Sequence, residues 1–290
     1  MTSRCLDPRH LCPSAGGRKP ETTKLREVAP LTVAVLGLGE AGSAIAGDLV
    51  AAGVSVRGFD PAAGDAPAGV ELAADAHAAA TGSDVVLSVN AATVAVEVAQ
   101  SAAGGLGPGQ VYADLNTAGA ALKRTVAEVV GATGAAFADV ALMTPVPGRG
   151  LRTPALVSGA GAEELARRLG PLGMPIEVLG GEPGAAATRK LLRSVFMKGL
   201  AAACIESTRA ARAAGCEEWM RAEIADVLTG ADAALLERLL TGSELHATRR
   251  IHEIRDAREL LAELGVEPRV SAAAEGWLAE LEGEGVVRGR

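Results

Sequence analysis

The chain has 290 residues, a formal net charge of −7 and 49% hydrophobic residues, with aromatic residues at only 2%. That length suits one large domain or two smaller ones, with a core built mainly from Ala, Val and Leu. The acidic balance argues against a nucleic-acid or anionic-membrane surface as the main partner, and no apolar run reaches the ~18–20 residues that a bilayer span needs.

Residues 1–29 lack the apolar core and cleavage site of a secretory signal, and they read as a disordered N-terminal extension. From Leu31, "LTVAVL" is a short β-branched run of the kind a buried parallel strand shows. "GLGEAG" follows, then a helical pattern that ends at Gly53. "VSVRGFD" closes a second strand at Asp60. Further strands are expected at 84–90, 109–117, 135–142, 154–161 and 175–181, most of them separated by helical stretches. Strands alternating with helices predict an α/β fold, an N-terminal Rossmann doubly wound parallel sheet over residues 30–181. From 182 to 290 the periods are helical, which predicts an all-helical C-terminal domain. The four cysteines, Cys5, Cys12, Cys204 and Cys216, form no C-x-x-C or Cys/His cluster. No disulfide framework and no metal site is therefore expected, and a reducing cytoplasm is the expected location.

Gly37-Leu38-Gly39-Glu40-Ala41-Gly42 fits G-x-G-x-x-G directly after a strand and opens a helix, the context that gives this pattern meaning. Gly37 permits the tight turn, Gly39 lets the backbone approach a pyrophosphate, and Gly42 lets the helix pack close. Free N–H groups at the helix start then face the phosphate charge. Asp60, at the end of the second strand, suits an adenosine ribose and repels a 2′-phosphate. NAD is therefore the expected cofactor, with NADP the alternative. Arg57, three residues before, weighs the other way. The competing role for Asp60 is to cap the turn before Pro61. Asn90, Asn116 and Thr117 stand at strand exits, where open α/β sheets bind ligands. Asn90 and Asn116 are candidates for the nicotinamide ribose, and Thr117 for substrate; helix capping is their competing role.

These pieces together resemble the β-hydroxyacid dehydrogenases, which include 3-hydroxyisobutyrate and 6-phosphogluconate dehydrogenases. The resemblance covers roughly residues 31–215. It rests on "GLGEAG", on "DLNT" (114–117), on "DVALMTPVPGRG" (139–150) and on "GAAATRKLLRS" (184–194). It implies a substrate loop with Pro145, Val146 and Gly148, and it aligns Lys190 with the family's catalytic lysine. It also implies a homodimer acting on a small-molecule substrate. Asn116 stands where the family has Ser, Pro147 replaces the loop's Ser, and Arg193 and Ser194 replace paired asparagines. A divergent sub-branch is the better description. Imine reductases share the architecture but place Asp or Tyr at the proton-donor position.

The helical stretch 188–206 carries Lys190 and Lys198 on an otherwise apolar segment. Hydride transfer at an alcohol carbon needs a partner that moves the hydroxyl proton. A lysine whose pKa is drawn down by desolvation can do this. Ser194 lies one turn beyond Lys190 and Arg193 about 60° round the helix, able to clamp a carboxylate. Lys198 either binds substrate, is solvated, or pairs with an acid such as Glu206. His246, Arg249 and Arg250 cluster on a charged helix; His246 and Arg250 are candidates for an anionic substrate, and a solvated, salt-bridged face is the alternative. The expected function is an NAD(P)-dependent oxidoreductase acting on a small carboxylate-bearing hydroxy acid or carbonyl compound. An imine reductase and a non-catalytic dinucleotide-binding protein are the other readings.

Overall fold

The computed structural model describes residues 31–62, 64 and 66–287. Expectations for the N-terminal segment, Cys5 and Cys12 included, lie outside the described residues. Eight strands form one sheet in the order β3-β2-β1-β4-β5-β6-β7-β8. They are β1 (Thr32–Leu36), β2 (Ser55–Phe59), β3 (Val70–Leu72), β4 (Val85–Ser88), β5 (Val111–Asp114), β6 (Ala136–Leu142), β7 (Ala155–Ser158) and β8 (Ile176–Val178). Five helices wind about it: α1 (Glu40–Ala51), α2 (Ala76–Ala80), α3 (Ala95–Ala103), α4 (Ala120–Gly131) and α5 (Ala162–Leu169).

The sheet departs from the expected all-parallel form in one place: β7 runs antiparallel to β6. A parallel return needs a crossover of a dozen or more residues, usually a helix. The segment 143–154 between these strands carries Pro145, Pro147 and Pro154 and forms only a short 3-10 turn at Gly150–Arg152, with no α-helix to make the crossover, so the chain doubles back. The short β3 was not expected either, since its three residues carry no apolar run and lie on the sheet edge.

Apolar side chains cover both faces of the sheet, as strands buried on both sides require. Ile45, Leu49, Leu165 and Leu169 of α1 and α5 pack on Val33, Val35 and Val85. Ala79, Ala99, Val126 and Val130 of α2 to α4 pack on Ala34, Val86 and Tyr112 opposite. Small residues dominate, so the layers approach closely with few aromatics to fill gaps.

Beyond the sheet come α6 (Ala185–Ala213), α7 (Glu217–Thr229), α8 (Ala233–Leu245), α9 (Ala247–Glu263) and α10 (Arg269–Val287). The 29-residue α6 serves both halves. Its first turns pack on β6, β7 and α4, and its later turns on α7 and α10. Glu206 of α6 accepts the N–H groups of Val270 and Ser271 at 2.7 and 2.9 Å, which caps α10. Glu206 is therefore spent on the fold, and the pairing with Lys198 weighed from sequence does not form. Neither α7 nor α8 buries a single residue. Phe196 is 64% exposed, Leu240 57% and Trp277 67%. Among the described residues, no helix is long and apolar enough to cross a membrane.

Candidate dinucleotide and lysine site

Strands β2, β1, β4 and β5 run parallel, so their carboxyl ends share one edge of the sheet. The chain steps outward to β2 and β3 on one side of β1, and to β4 and β5 on the other. A crevice opens where the order reverses, between β1 and β4. Gly37 turns the chain there with φ +103°, and a Cβ on it would meet Val89 O at 2.1 Å. Gly42 lies over that turn, where a Cβ would stand 1.9 Å from Gly37 O. Only glycine permits either approach.

The start of α1 is open. Gly39 caps it without a side chain, and a Cβ there would meet nothing within 4 Å. The first-turn N–H groups, Glu40 and Ala41 among them, are the kind that hold an anion. This open cradle fits the pyrophosphate of a dinucleotide. Glu40 is exposed, while Ala41 and Leu38 pack on the core. Leu38 N–H donates to Asp60 Oδ2 at 2.8 Å, and Ala62 N–H to Asp60 Oδ1 at 2.8 Å. Asp60 thus does cap its turn, and it also lines a cleft of 410 Å³. Phe59, Pro61, Val94 and Val98 supply apolar walls, and Asp60 and Glu97 are its charged lining groups among the described residues. Arg57 points elsewhere: it bonds Thr81 O and lies 3.9 Å from Glu71.

Next along the edge, three polar side chains interlock. Asn116 Oδ1 accepts Asn90 N–H at 2.5 Å, while Asn116 Nδ2 donates to Asn90 Oδ1 at 3.0 Å and to Ser88 Oγ at 3.2 Å. Asn116 is buried and spent on its neighbours. Asn90 lines the cleft, so it is the one of the pair with a face toward a ligand.

Thr117 follows, and Lys190 Nζ of α6 donates to Thr117 Oγ1 at 2.8 Å. Two residues 73 apart in sequence meet because the start of α6 docks on the sheet edge. Lys190 is half-buried, and its pKa lies below the ordinary lysine range. Burial is the main cause, the like charge of Lys123 adds to it, and Asp139 opposes.

Sequence reading missed what lies beneath. Lys123 of α4 is 1% exposed. Its Nζ donates to Asp114 O at 2.7 Å and lies 3.4 Å from Asp114 Oδ2 and 3.3 Å from Asp139 Oδ1. Burial raises the Asp114 carboxyl above the usual range, against the pull of Lys123. The signal was present: Asp114 and Asp139 each interrupt an apolar strand, and Lys123 shares a helical stripe with Val126 and Val130. Buried charges on such positions need partners.

The other candidates separate. Val146 is buried among core residues and Pro145 and Gly148 are exposed, on a loop tied to α1 where Leu151 N–H donates to Asp48 Oδ2 at 2.9 Å. Arg193 and Ser194 make no hydrogen bond or ion pair among the described residues. Arg250 turns back to Ser243 Oγ at 2.6 Å, and His246 is exposed between α8 and α9. Among the described residues, neither shares a hydrogen bond or ion pair with Lys190.

Known proteins share this plan. A sequence family described as the NAD binding domain of 6-phosphogluconate dehydrogenase matches residues 32–171. A domain of unknown function, DUF1932, matches residues 211–281. The structure of a conserved hypothetical protein from Sinorhizobium meliloti is 32% identical, covers 86% of this chain and 87% of its own, and has a TM-score of 0.57. A conserved protein of unknown function, described as structurally similar to 3-hydroxyacid dehydrogenases, is 27% identical over 88% of this chain and 99% of its own, with a TM-score of 0.58. An imine reductase variant from Myxococcus stipitatus, in complex with NAD+, is 22% identical over 88% and 95% of the two chains, with a TM-score of 0.75.

Proposed function

Since the chain belongs to the family that joins the NAD-binding domain of 6-phosphogluconate dehydrogenase to a DUF1932 domain, we propose that it is an NAD(P)-dependent oxidoreductase using Lys190 as its proton-transfer group. The observation that carries this reading is the Lys190–Thr117 contact of 2.8 Å at the exit of β5. It puts a half-buried amine on the same sheet edge as the glycine turn and Asn90.

Gly37, Gly39 and the α1 N-terminus would hold the pyrophosphate, Asp60 the adenosine ribose, and Asn90 the nicotinamide end. The bound nicotinamide supplies or accepts the hydride. Lys190 handles the proton. As a neutral amine it takes the proton of a substrate hydroxyl during oxidation; as an ammonium it returns the proton to a carbonyl oxygen during reduction. Desolvation draws its pKa below the ordinary lysine value, which eases access to the neutral form. Thr117 Oγ1 orients the amine. Arg193, exposed and unpaired among the described residues, is available to pair with a substrate carboxylate. The substrate class is a small carboxylate-bearing hydroxy acid or its carbonyl form.

The exposed apolar faces of α6, α8 and α10 support a homodimer in which a second copy covers them, and that copy's α9 is the route by which His246 and Arg250 would approach a substrate. A second reading, reduction of an imine, draws on the same amine, whose ammonium form can protonate an imine nitrogen.

The test is turnover of NADH and NADPH with hydroxy acids, their oxo forms and cyclic imines, run beside Lys190→Ala. The expected result is activity on oxo or hydroxy acids and a loss of ~10²-fold or more in the variant, with cofactor binding retained. Activity on cyclic imines alone selects the second reading. Undiminished turnover in the variant removes Lys190 from the mechanism.

A further inference from the structure

Lys123 has no part in the chemistry above, yet the fold goes to some length to keep it. It stands on α4 in line with Val126 and Val130, sealed from solvent. Replacing a buried ion triad as a whole by well-packed apolar chains is often neutral or favourable for stability. Stability alone therefore does not account for an ammonium at this position. What the ammonium does supply is a geometry that an apolar chain lacks.

Each of its two carboxylates has a second task. Asp114 Oδ1 accepts Asn116 N–H at 2.9 Å and so shapes the turn that presents Thr117. Asp139 Oδ2 accepts Gly184 N–H and Ala187 N–H, each at 3.0 Å, and Ser158 Oγ–H at 3.2 Å. Asp139 thereby caps the start of α6. Lys190 follows three residues after Ala187, less than one turn along the helix. So one carboxylate shapes the turn before Thr117, the other anchors the helix of Lys190, and Lys123 grips both.

We propose that Lys123 is the positioning residue of the lysine site: it ties the Asp114 turn to the Asp139 cap, so that Lys190 meets Thr117, and it presents Lys190 with a like charge from below. This rests on Lys190 being the proton-transfer group and adds what holds and tunes it. The groups that face Lys190 are Lys123 from α4 and Asp139 from β6, with Asp114 of β5 behind Lys123 and neutral Ser158 on β7. Arg189 and Arg193 of α6 itself are exposed. The elements α7 and α10 meet the far end of α6, where Arg212 pairs with Glu217 and Glu206 caps α10.

The experiment needs no substrate. The full chain is reductively methylated with isotope-labelled formaldehyde, and the titration midpoint of the Lys190 signal, assigned by its loss in Lys190→Arg, is followed by NMR. Lys123→Met/Asp114→Asn removes the cation together with one carboxylate, leaving Asp139 on the α6 cap. The Lys190 midpoint then rises, because the like charge that lowers it is gone. Asp139→Asn, which keeps an acceptor under α6, moves it the opposite way. Lys123→Gln/Asp114→Asn carries the same expectation as the Met variant and serves if that one does not fold. An unchanged midpoint in the Lys123 variants, or a shift of the same sign in both sets, overturns the proposal. Because turnover is not measured, this outcome is independent of whether Lys190→Ala retains activity.

Discussion

Asp139 of β6 accepts the backbone N–H of Ala187 at 3.0 Å, so a fully buried carboxylate of the sheet caps the helix that carries Lys190. One side chain thus joins the cofactor-binding half to the helical half, three residues before the residue on which the chemistry is proposed to turn.

That relationship makes Asp139→Ala costly. It strips the cap from α6 and leaves Lys123 short of a counter-charge, a loss on the order of 3–5 kcal/mol for breaking a buried pair. Asp139→Asn keeps an acceptor and should cost clearly less. Urea unfolding of both variants, read by circular dichroism, gives the ordering; equal losses would mean that charge, not the cap, carries the interaction.

Lys190 links stability to pH. Its folded pKa lies below the ordinary value of 10.5, mainly through burial. Between those two values the unfolded chain binds more protons than the folded one, so stability rises with pH through that window. Lys190→Met removes this dependence. The variant is expected to be more stable than the parent below the window, and the gap should close as pH passes the ordinary lysine pKa. Denaturation midpoints across alkaline pH check the sign; a variant less stable than the parent at neutral pH contradicts it.

Asp60 and Glu97 give the 410 Å³ cleft two carboxylates, with no cation lining it among the described residues. A 2′-phosphate would meet like charge there, so NADH should bind more tightly than NADPH. Asp60→Ser should lower NADH affinity by roughly tenfold, about one charge-assisted hydrogen bond, and narrow the preference. Fluorescence titration with both cofactors measures this. Tighter binding of NADPH by the parent would reverse the assignment.

The glycine turn tolerates no side chain at its second contact. A Cβ at position 42 would lie 1.9 Å from Gly37 O, so Gly42→Ala must push α1 away from β1. Overpacking of this kind costs about 1–3 kcal/mol. A lowered melting temperature and weakened NADH binding are expected together. An unchanged affinity would mean that the start of α1 does not hold the phosphates.

The apolar faces beyond the sheet bear on assembly. Leu240 and Trp277, both more than half exposed in the single chain, are expected to be covered in a dimer. Sedimentation equilibrium should report twice the chain mass, and Leu240→Glu/Trp277→Glu should shift it toward monomer. A monomeric parent would leave those faces without the partner proposed for them.

Much of this protein is local, and local features can be read from the chain. "LTVAVL" followed by "GLGEAG" is a strand, a turn and a helix start because each depends on neighbours within a few residues: β-branched packing, a positive φ, a free first turn. The same holds for Asp60 and Asn90, which stand where their strands stop. Lys190 was legible as an amine on an apolar helix. Its partner Thr117 was marked as well, but not the contact between them, which spans 73 residues of sequence.

Three things were decided only when the chain closed on itself. The β6–β7 reversal depends on how a connection without an α-helix can lead the chain back. The buried triad of Lys123, Asp114 and Asp139 exists because α4 brings Lys123 to the end of β5 and the middle of β6 at once, and each charge is tolerable only beside the others. The fate of Asn116, spent on Asn90 and Ser88, follows from side chains on adjacent strands arriving at one edge. Propensity and motif act over a turn or a strand, and those the sequence by itself determined; the pairing of buried charge acts through space, and only the tertiary structure could settle it.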